Sequence, residues 1–267
     1  MTNDYFYHTE GMFFKHEISE NMPPDAYSMH IHNFYELIYF LDGNATHVVE
    51  DRKYKLKKGD VILIHPLQYH FVQIDSSSRY ERYVILFDPE MHSIESIDLI
   101  NDSIGVINIK ENEIAEDIFR KIDFYHKGCD EEVFSKLLSH LLNELFYNLY
   151  VFPNFSSKEG ASCSPMIMKA LQYINDNINT ITDINEVAER IFISESYLFR
   201  LFKKELHQTP KKYIREKRLL MAHKMLLSGK KPSYVCEKCG FSDYTAFYRN
   251  YTAFFGRSPR EDSNQNP

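Results

Sequence analysis

Leu198-Phe-Arg-Leu-Phe202, followed by His207 and Thr209-Pro210, returns 49 residues later as Phe247-Tyr-Arg-Asn-Tyr251, followed by Gly256 and Ser258-Pro259. A recurrence of that length is one supersecondary unit used twice. Each copy opens with a short helical pattern, Asp183 to Arg190 and then Pro232 to Cys239. Each therefore reads as helix, tight turn, helix. Thr209-Pro210 and Ser258-Pro259 both set a capping hydroxyl before a proline at the first helical position, where the missing N–H is no loss. Both copies thus lead into the same helix start.

A helix-turn-helix needs a small residue where its second helix crosses the first, and its second helix turns polar residues outward. Copy one supplies Ala188, the turn Phe192-Ile-Ser194, an inward face of Leu198, Leu201 and Phe202, and an outward face of Ser196, Phe199, Arg200 and Lys203. Copy two supplies Cys236, the turn Gly240-Phe-Ser242, inward Phe247, Tyr251 and Phe254, and outward Tyr244, Thr245, Tyr248 and Arg249. Its turn is one residue longer, because Ala188 and Cys236 lie 48 apart while Arg200 and Arg249 lie 49 apart. Cys236 and Cys239 have the spacing of half a zinc site, but no second pair of ligands follows. They are read as core.

Outward from the repeat, helical patterns run over Met166–Asn177, Ser194–Leu206, Pro210–Leu227 and Asp243–Phe255, with a last turn from Pro259. The polar, Ser-rich stretch Pro153–Pro165 reads as a linker. Before it, Glu111–His126 and Glu131–Tyr150 are helical, the second with a wide apolar stripe of Phe134, Leu137, Leu138, Leu141, Leu142, Leu145, Phe146 and Leu149. Such a stripe either packs on the chain's own strands or meets its copy in a second subunit. Short β-rich runs come first: Met12–Ile18, Tyr35–Leu41, Thr46–Glu50, Val61–His65, Tyr69–Ile74 and Tyr80–Phe87, punctuated by Asp42-Gly-Asn44 and Lys58-Gly-Asp60. That spacing predicts a barrel or sandwich.

Composition agrees with two folded modules of different task. The 267 residues are 43% hydrophobic and 15% aromatic, enough for a sizeable core. The net charge of −7 divides unevenly: residues 161–267 carry 17 Lys and Arg against 11 Asp and Glu, whereas residues 1–160 carry 14 against 27. A basic repeat points to a polyanion. No run of 18 apolar residues exists, Met1–Glu10 lacks a signal-peptide layout, and four scattered cysteines form no disulfide framework. The expectation is a cytoplasmic protein without a membrane partner.

Ser196-Tyr-Leu-Phe-Arg-Leu-Phe-Lys-Lys204, Thr209-Pro210 with Tyr213-Ile214, Arg218 with Ala222, Gly240-Phe-Ser-Asp243, Phe247 with Arg249, and Gly256 with Ser258-Pro259 resemble the AraC/XylS transcriptional regulators. The resemblance spans about 100 residues. It implies two recognition helices, joined by the long helix Pro210–Leu227, reading successive major grooves of double-stranded DNA. It places Ser196, Phe199, Arg200, Tyr244, Thr245 and Arg249 at base edges, where arginine suits guanine and Thr or Phe a thymine methyl. Lys203, Lys204, Lys211, Lys212 and Arg257 would contact phosphates. Arg218 stays open between such a contact and pairing with Asp or Glu of a neighbouring element. Five positions depart from the family: His207 stands for a usual Gly, Cys236 for Ala, Thr252-Ala253 for a basic pair and Asp262 for an aromatic. The first reader is therefore expected to hold most of the affinity. The resemblance also implies a homodimer and a contact with RNA polymerase.

His30-x-His32-x-x-x-Glu36 followed by Gly43 resembles the first motif of the cupin superfamily, while Pro66-Leu-Gln-Tyr-His70 is a shortened second motif. Residues 30, 32 and 36 share strand parity and hence a face. Three imidazoles and a carboxylate suit a divalent transition metal, direct contact with an effector, or a merely structural role. The resulting expectation is multidomain α+β: a cupin-like β-barrel effector domain over residues 1–100, a helical dimerisation segment over 101–152, a linker over 153–165, and an all-α DNA-binding domain over 166–267. Its two helix-turn-helix motifs fall at 183–206 and 232–255. The leading function is a transcriptional regulator, an activator and not an enzyme, with a small polar metabolite such as a sugar bound by His30, His32, Glu36 and His70, and no cofactor. The alternatives are a metal-dependent cupin isomerase or dioxygenase using those four residues, and a constitutive regulator whose barrel only dimerises.

Overall fold

A computed structural model of the chain describes residues 12–20, 27, 29–75, 79–100, 105–152, 157–158 and 161–264. They fall into two compact units, Met1–Ser28 with Phe34–Ala161, and Met29–Asn33 with Ser162–Pro267.

The first unit is built on β1 (Met12–Ser19), β2 (Tyr35–Asp42), β3 (Ala45–Val49), β4 (Arg52–Lys55), β5 (Asp60–Ile64), β6 (His70–Ile74), β7 (Tyr80–Phe87) and β8 (Val106–Asn108). Two sheets face each other, so the cupin-like barrel takes an open two-sheet form. One sheet runs β1-β7-β2-β5-β8 and continues into β9 (Ser157–Lys158), and β4, β3 and β6 are neighbours in the other. Six of these strands match the β-rich runs of the sequence. β4 was illegible because Tyr54 is its one buried side chain among Arg52, Lys53 and Lys55. Part of the stretch read as a linker is strand β9; residues 153–156 and 159–160 of that stretch lie outside the described residues, as does the chain start examined for a leader.

The large sheet is covered on both faces, which is why β2 and β5 read as continuous apolar runs rather than as alternation. Leu37, Tyr39, Val61, Leu63, Ile85 and Phe87 pack against α1 (Glu113–Gly128) and α2 (Glu131–Val151). Their neighbours of opposite parity, Ile38, Phe40, Ile62 and Ile64, meet Ala45, Tyr54, Val72 and Ile74 of the second sheet. The apolar stripe of α2 is consumed here: Phe134, Leu138, Leu141, Leu142, Leu145, Phe146 and Leu149 are buried in the core shared with the sheet, and Leu137 is half-buried. Each such residue contributes about 1.5–3 kcal/mol of burial. Of the two uses left open for the stripe, the chain's own sheet takes it. At the Asp42–Asn44 turn Gly43 holds φ 128°, and a Cβ there would stand 2.7 Å from the Arg79 carbonyl oxygen. Only glycine fits.

The second unit contains α3 (Pro165–Asp176), α4 (Ile184–Arg190), α5 (Glu195–Leu206), α6 (Pro210–Leu227), α7 (Pro232–Lys238), α8 (Tyr244–Phe255) and α9 (Pro259–Ser263). Asp183, Ser194 and Asp243, read as first helical residues, are N-caps whose side chains accept from amides two or three residues on. The repeat is visible in the hydrogen bonds. Ile193 N donates to Ala188 O, and Phe241 N to Cys236 O, both at 3.0 Å. Phe192 and Gly240 both take a left-handed φ, 60° and 76°. These pairs are 48 apart, whereas the caps Ser194 and Asp243 are 49 apart, so Ser242 is the inserted residue. His207 and Gly256 both form left-handed C-caps.

On α5 the buried residues are Leu198, Leu201, Phe202 and Leu206. On α8 they are Phe247, Tyr251 and Phe255, which corrects the inward assignment of Phe254. Phe255 is drawn in by stacking on His223 of α6 at 4.4 Å, leaving Phe254 half-buried. Arg218 of α6 donates to the carbonyls of Ile178, Ile181 and Gly240 at 2.7, 2.6 and 2.8 Å. Of the two roles left open for Arg218 the structural one is seen, with backbone oxygens as its partners in place of Asp or Glu. A Cβ at Gly240 would lie 2.3 Å from Asn179 O and 3.0 Å from the Arg218 guanidinium carbon, so this turn also requires glycine. Cys236 and Cys239 are buried free thiols, and burial pushes Cys239 up to about 11.

Candidate functional site

The 3.6-residue period that buries Leu198, Leu201 and Phe202 leaves Ser196, Tyr197, Arg200, Lys203 and Lys204 exposed on α5. Arg200 lies over the Tyr197 ring at 5.6 Å, and Lys211 stands 5.9 Å from the centroid of half-buried Phe199. Lys211 and Lys212 are exposed in the first turn of α6, each near a carboxylate, Glu195 at 3.9 Å and Glu216 at 3.7 Å. On α8 Tyr244, Thr245, Tyr248 and Arg249 are exposed, together with Ala253 near its end. Ten of the eleven residues read as DNA contacts thus have side chains on the surface or at its edge. The eleventh is different. Arg257, 28% exposed, has its Nε 2.8 Å from Oδ1 of Asp262, which is wholly buried. That arrangement was not legible in the sequence, where Asp262 was only an unusual residue at an aromatic position.

The interior of the first unit is polar at one end. Glu17, Glu36, Tyr80 and Arg82 line the inner face of the large sheet by strand parity, and His47 and His70 line the other sheet. Glu17 and Arg82 are direct cross-strand partners, with Arg82 Nη2 donating to Glu17 Oε2 at 3.0 Å and Nη1 to the Tyr80 hydroxyl at 3.0 Å. Burial disfavours the arginine charge, but Tyr80 and Glu17 hold it above its ordinary value. Burial raises the Glu17 carboxyl, and Arg82 and Lys15 more than reverse this, leaving it below its usual range. His70 Nε2 is 2.9 Å from Glu36 Oε2, and His70 Nδ1 is 2.9 Å from Gln68 O.

His47 completes this end and was missed in the sequence, because a single His in an alternating strand carries no motif. It is 1% exposed, its ring is stacked 6.1 Å from that of His70, and neither ring nitrogen has a hydrogen-bond partner among the described residues. Burial, reinforced by His70, drives its pKa down to about 3, so it is neutral at physiological pH and offers one donor and one acceptor. The tetrad of the sequence reading divides between the units. Glu36 and His70 belong to the first, and His30 and His32, with ring centroids 5.9 Å apart, belong to the second. Three imidazoles and one carboxylate are a donor set for a transition-metal ion.

Among the described residues no helix is long and apolar enough to cross a membrane. Residues 14–149 match the AraC-like ligand binding domain family, and residues 187–265 match the helix-turn-helix domain family. The chain is 35% identical over 105 residues to the HTH-type transcriptional regulator ArgR of Pseudomonas aeruginosa, a match covering 39% of this chain and 32% of that protein. It is 23% identical over 261 residues to the HTH-type transcriptional activator RhaR of Escherichia coli, covering 91% and 89%. Among solved structures, apo ToxT from Vibrio cholerae is similar at 12% identity and a TM-score of 0.43, covering 95% of this chain and 97% of that one. A ligand-binding domain match over more than half of the chain, joined to the duplicated helix-turn-helix, makes this protein a member of the AraC family of DNA-binding transcriptional regulators.

Proposed function

We propose that the chain is an effector-responsive transcriptional activator whose effector is a small, polar, hydrogen-bonding metabolite, a sugar being the leading class. The observation that carries this reading is His47: a buried neutral imidazole whose two ring nitrogens have no hydrogen-bond partner among the described residues, beside the Glu36–His70 pair and an already neutralised Glu17–Arg82 pair. An unpaired buried polar group costs about 1–3 kcal/mol, and a bound polar ligand removes that cost. The balanced charges around it favour an uncharged polyhydroxylated molecule over an ion. His30 and His32 are further candidate contacts from their motif. Activation is inferred from the similarity to RhaR, a transcriptional activator.

In the second unit Ser196, Phe199, Arg200, Tyr244, Thr245 and Arg249 read bases, and Lys203, Lys204, Lys211 and Lys212 hold phosphates. A homodimer and RNA polymerase are the protein partners of this reading. An effector acts by binding one arrangement of the protein more tightly than another.

A thermal-shift screen of sugars, sugar acids and divalent metals on the purified chain tests it. The expected result is a saturable rise in Tm with a sugar or related polyol, and a change in affinity for a duplex enriched from a random pool when that compound is present. A rise with divalent metal alone, with stoichiometric metal in the purified protein, would instead support a metal site. Saturable binding that leaves DNA affinity unchanged would sink the effector reading.

A further inference from the structure

The two copies of the repeat provide an internal comparison, because their N-caps Thr209 and Ser258 and their C-caps His207 and Gly256 hold the same register of 49 residues. In that register Lys203 and Lys204 correspond to Thr252 and Ala253, so the second copy lacks the exposed pair of cations at the end of its recognition helix. Gln208 corresponds to Arg257, which returns one cation to the adjoining loop. Phe202 corresponds to Tyr251, and Tyr213 to Asp262. In copy one Phe202 and Tyr213 meet edge to face at 5.9 Å. In copy two the same two places hold a hydroxyl and a carboxylate, with Tyr251 Oη donating to Asp262 Oδ2 at 2.5 Å.

Asp262 collects the polar groups of three further places. His223 Nδ1 of α6 stands 3.2 Å from its Oδ2 and 2.7 Å from the Tyr251 hydroxyl, and Arg257 Nε stands 2.8 Å from its Oδ1 as an ion pair. Burial pushes the Asp262 carboxyl up, but the hydrogen bonds of His223 and Tyr251 and the charges of His223 and Arg257 outweigh it. The net direction is below the usual carboxylate range, so the group is ionised at neutral pH. Burial and Asp262 raise the Tyr251 phenol, which keeps it a donor.

We propose that Asp262 is a positioning residue of the second DNA reader: it anchors the recognition helix α8 through Tyr251 and withholds Arg257 from the phosphate backbone. The inference rests on the assignment of α8 as a DNA reader. Its consequence is a division of labour. The first reader attracts phosphates through Lys203, Lys204, Lys211 and Lys212, whereas at those four places the second keeps one exposed cation, Arg260 in the register of Lys211, and selects bases with weaker phosphate attraction.

The test measures the salt dependence of binding of the full chain to a random-sequence duplex. Lys203→Ala is the control and lowers the slope of log affinity against log salt, taken throughout as the steepness of the fall, by about 0.9, one phosphate contact. Arg257→Ala should leave the slope where it was. Asp262→Asn keeps the side-chain shape, releases Arg257 and should raise the slope by about 0.9, and adding Arg257→Ala to it should restore the starting value. A fall of about 0.9 with Arg257→Ala alone overturns the proposal, as does an unchanged slope with a folded Asp262→Asn protein. If Asp262→Asn does not fold, the single Arg257→Ala variant decides: an unchanged slope supports the proposal and a fall overturns it. Arg249→Ala on an enriched duplex checks the underlying assignment separately. A loss there confined to the enriched duplex keeps α8 as a base reader, whereas no loss removes the assignment itself.

Discussion

At the scale of single residues, His47 and Asp262 are opposite solutions to the same problem. Both are buried titratable groups, but Asp262 is surrounded by donors and stays charged, while His47 has no partner among the described residues and stays neutral. The pH dependence follows. An unfolded histidine titrates near 6.5 and His47 near 3, so the unfolded state binds the additional proton between those values. Stability is therefore intact above about pH 6.5 and falls as the pH drops toward 3, by up to about 1.4 kcal/mol per pH unit from this residue. His47→Leu removes the unpaired nitrogens, and urea titrations at pH 7 should show a first unit more stable by about 1–3 kcal/mol, with a flatter profile between pH 6.5 and 4. The same variant should lose the effector-induced Tm rise. A destabilised variant that still responds to effector would contradict both the cost and the role assigned to His47.

At the scale of elements, the long helix α6 is the frame of the DNA-binding unit because Arg218 ties it to what flanks it. One guanidinium serves the carbonyls of Ile178 and Ile181, in the segment after α3, and of Gly240, in the turn before α8. Arg218→Ala leaves three carbonyls without that donor and should cost about 2–4 kcal/mol, on the magnitude of hydrogen bonds to a charged group. Calorimetry of the variant checks this, and a Tm within error of the parent protein would show that water replaces the guanidinium at no cost. The helix α2 illustrates the converse. Its stripe was visible in the sequence, but an amphipathic face states that something covers it without stating what. Here the sheet residues Leu37, Tyr39, Val61 and Leu63 share its core, and Val133, Tyr147, Tyr150 and Val151 are the large apolar side chains that the helix leaves exposed.

At the scale of the whole molecule, a chain of net charge −7 is matched to DNA by an uneven distribution, with the Lys and Arg excess confined to residues 161–267. On the phosphate contacts proposed for Lys203, Lys204, Lys211 and Lys212, affinity for duplex DNA should fall about 10²-fold between 50 and 200 mM salt, read by anisotropy; a flat response would refute their electrostatic role. The sequence by itself determined the duplicated unit, its helices and most of its caps, because capping hydroxyls, proline starts and helical periodicity act over a few residues of chain. The six principal strands were legible for the same local reason. Only the tertiary structure decided that Arg218 serves carbonyls 22 to 40 residues away, that the ring nitrogens of buried His47 have no hydrogen-bond partner among the described residues, and that Asp262 meets Tyr251, Arg257 and His223. Those partners are set by how sheets and helices pack. No local pattern encodes which distant donor reaches a buried acceptor, and burial then makes each pairing costly to lose.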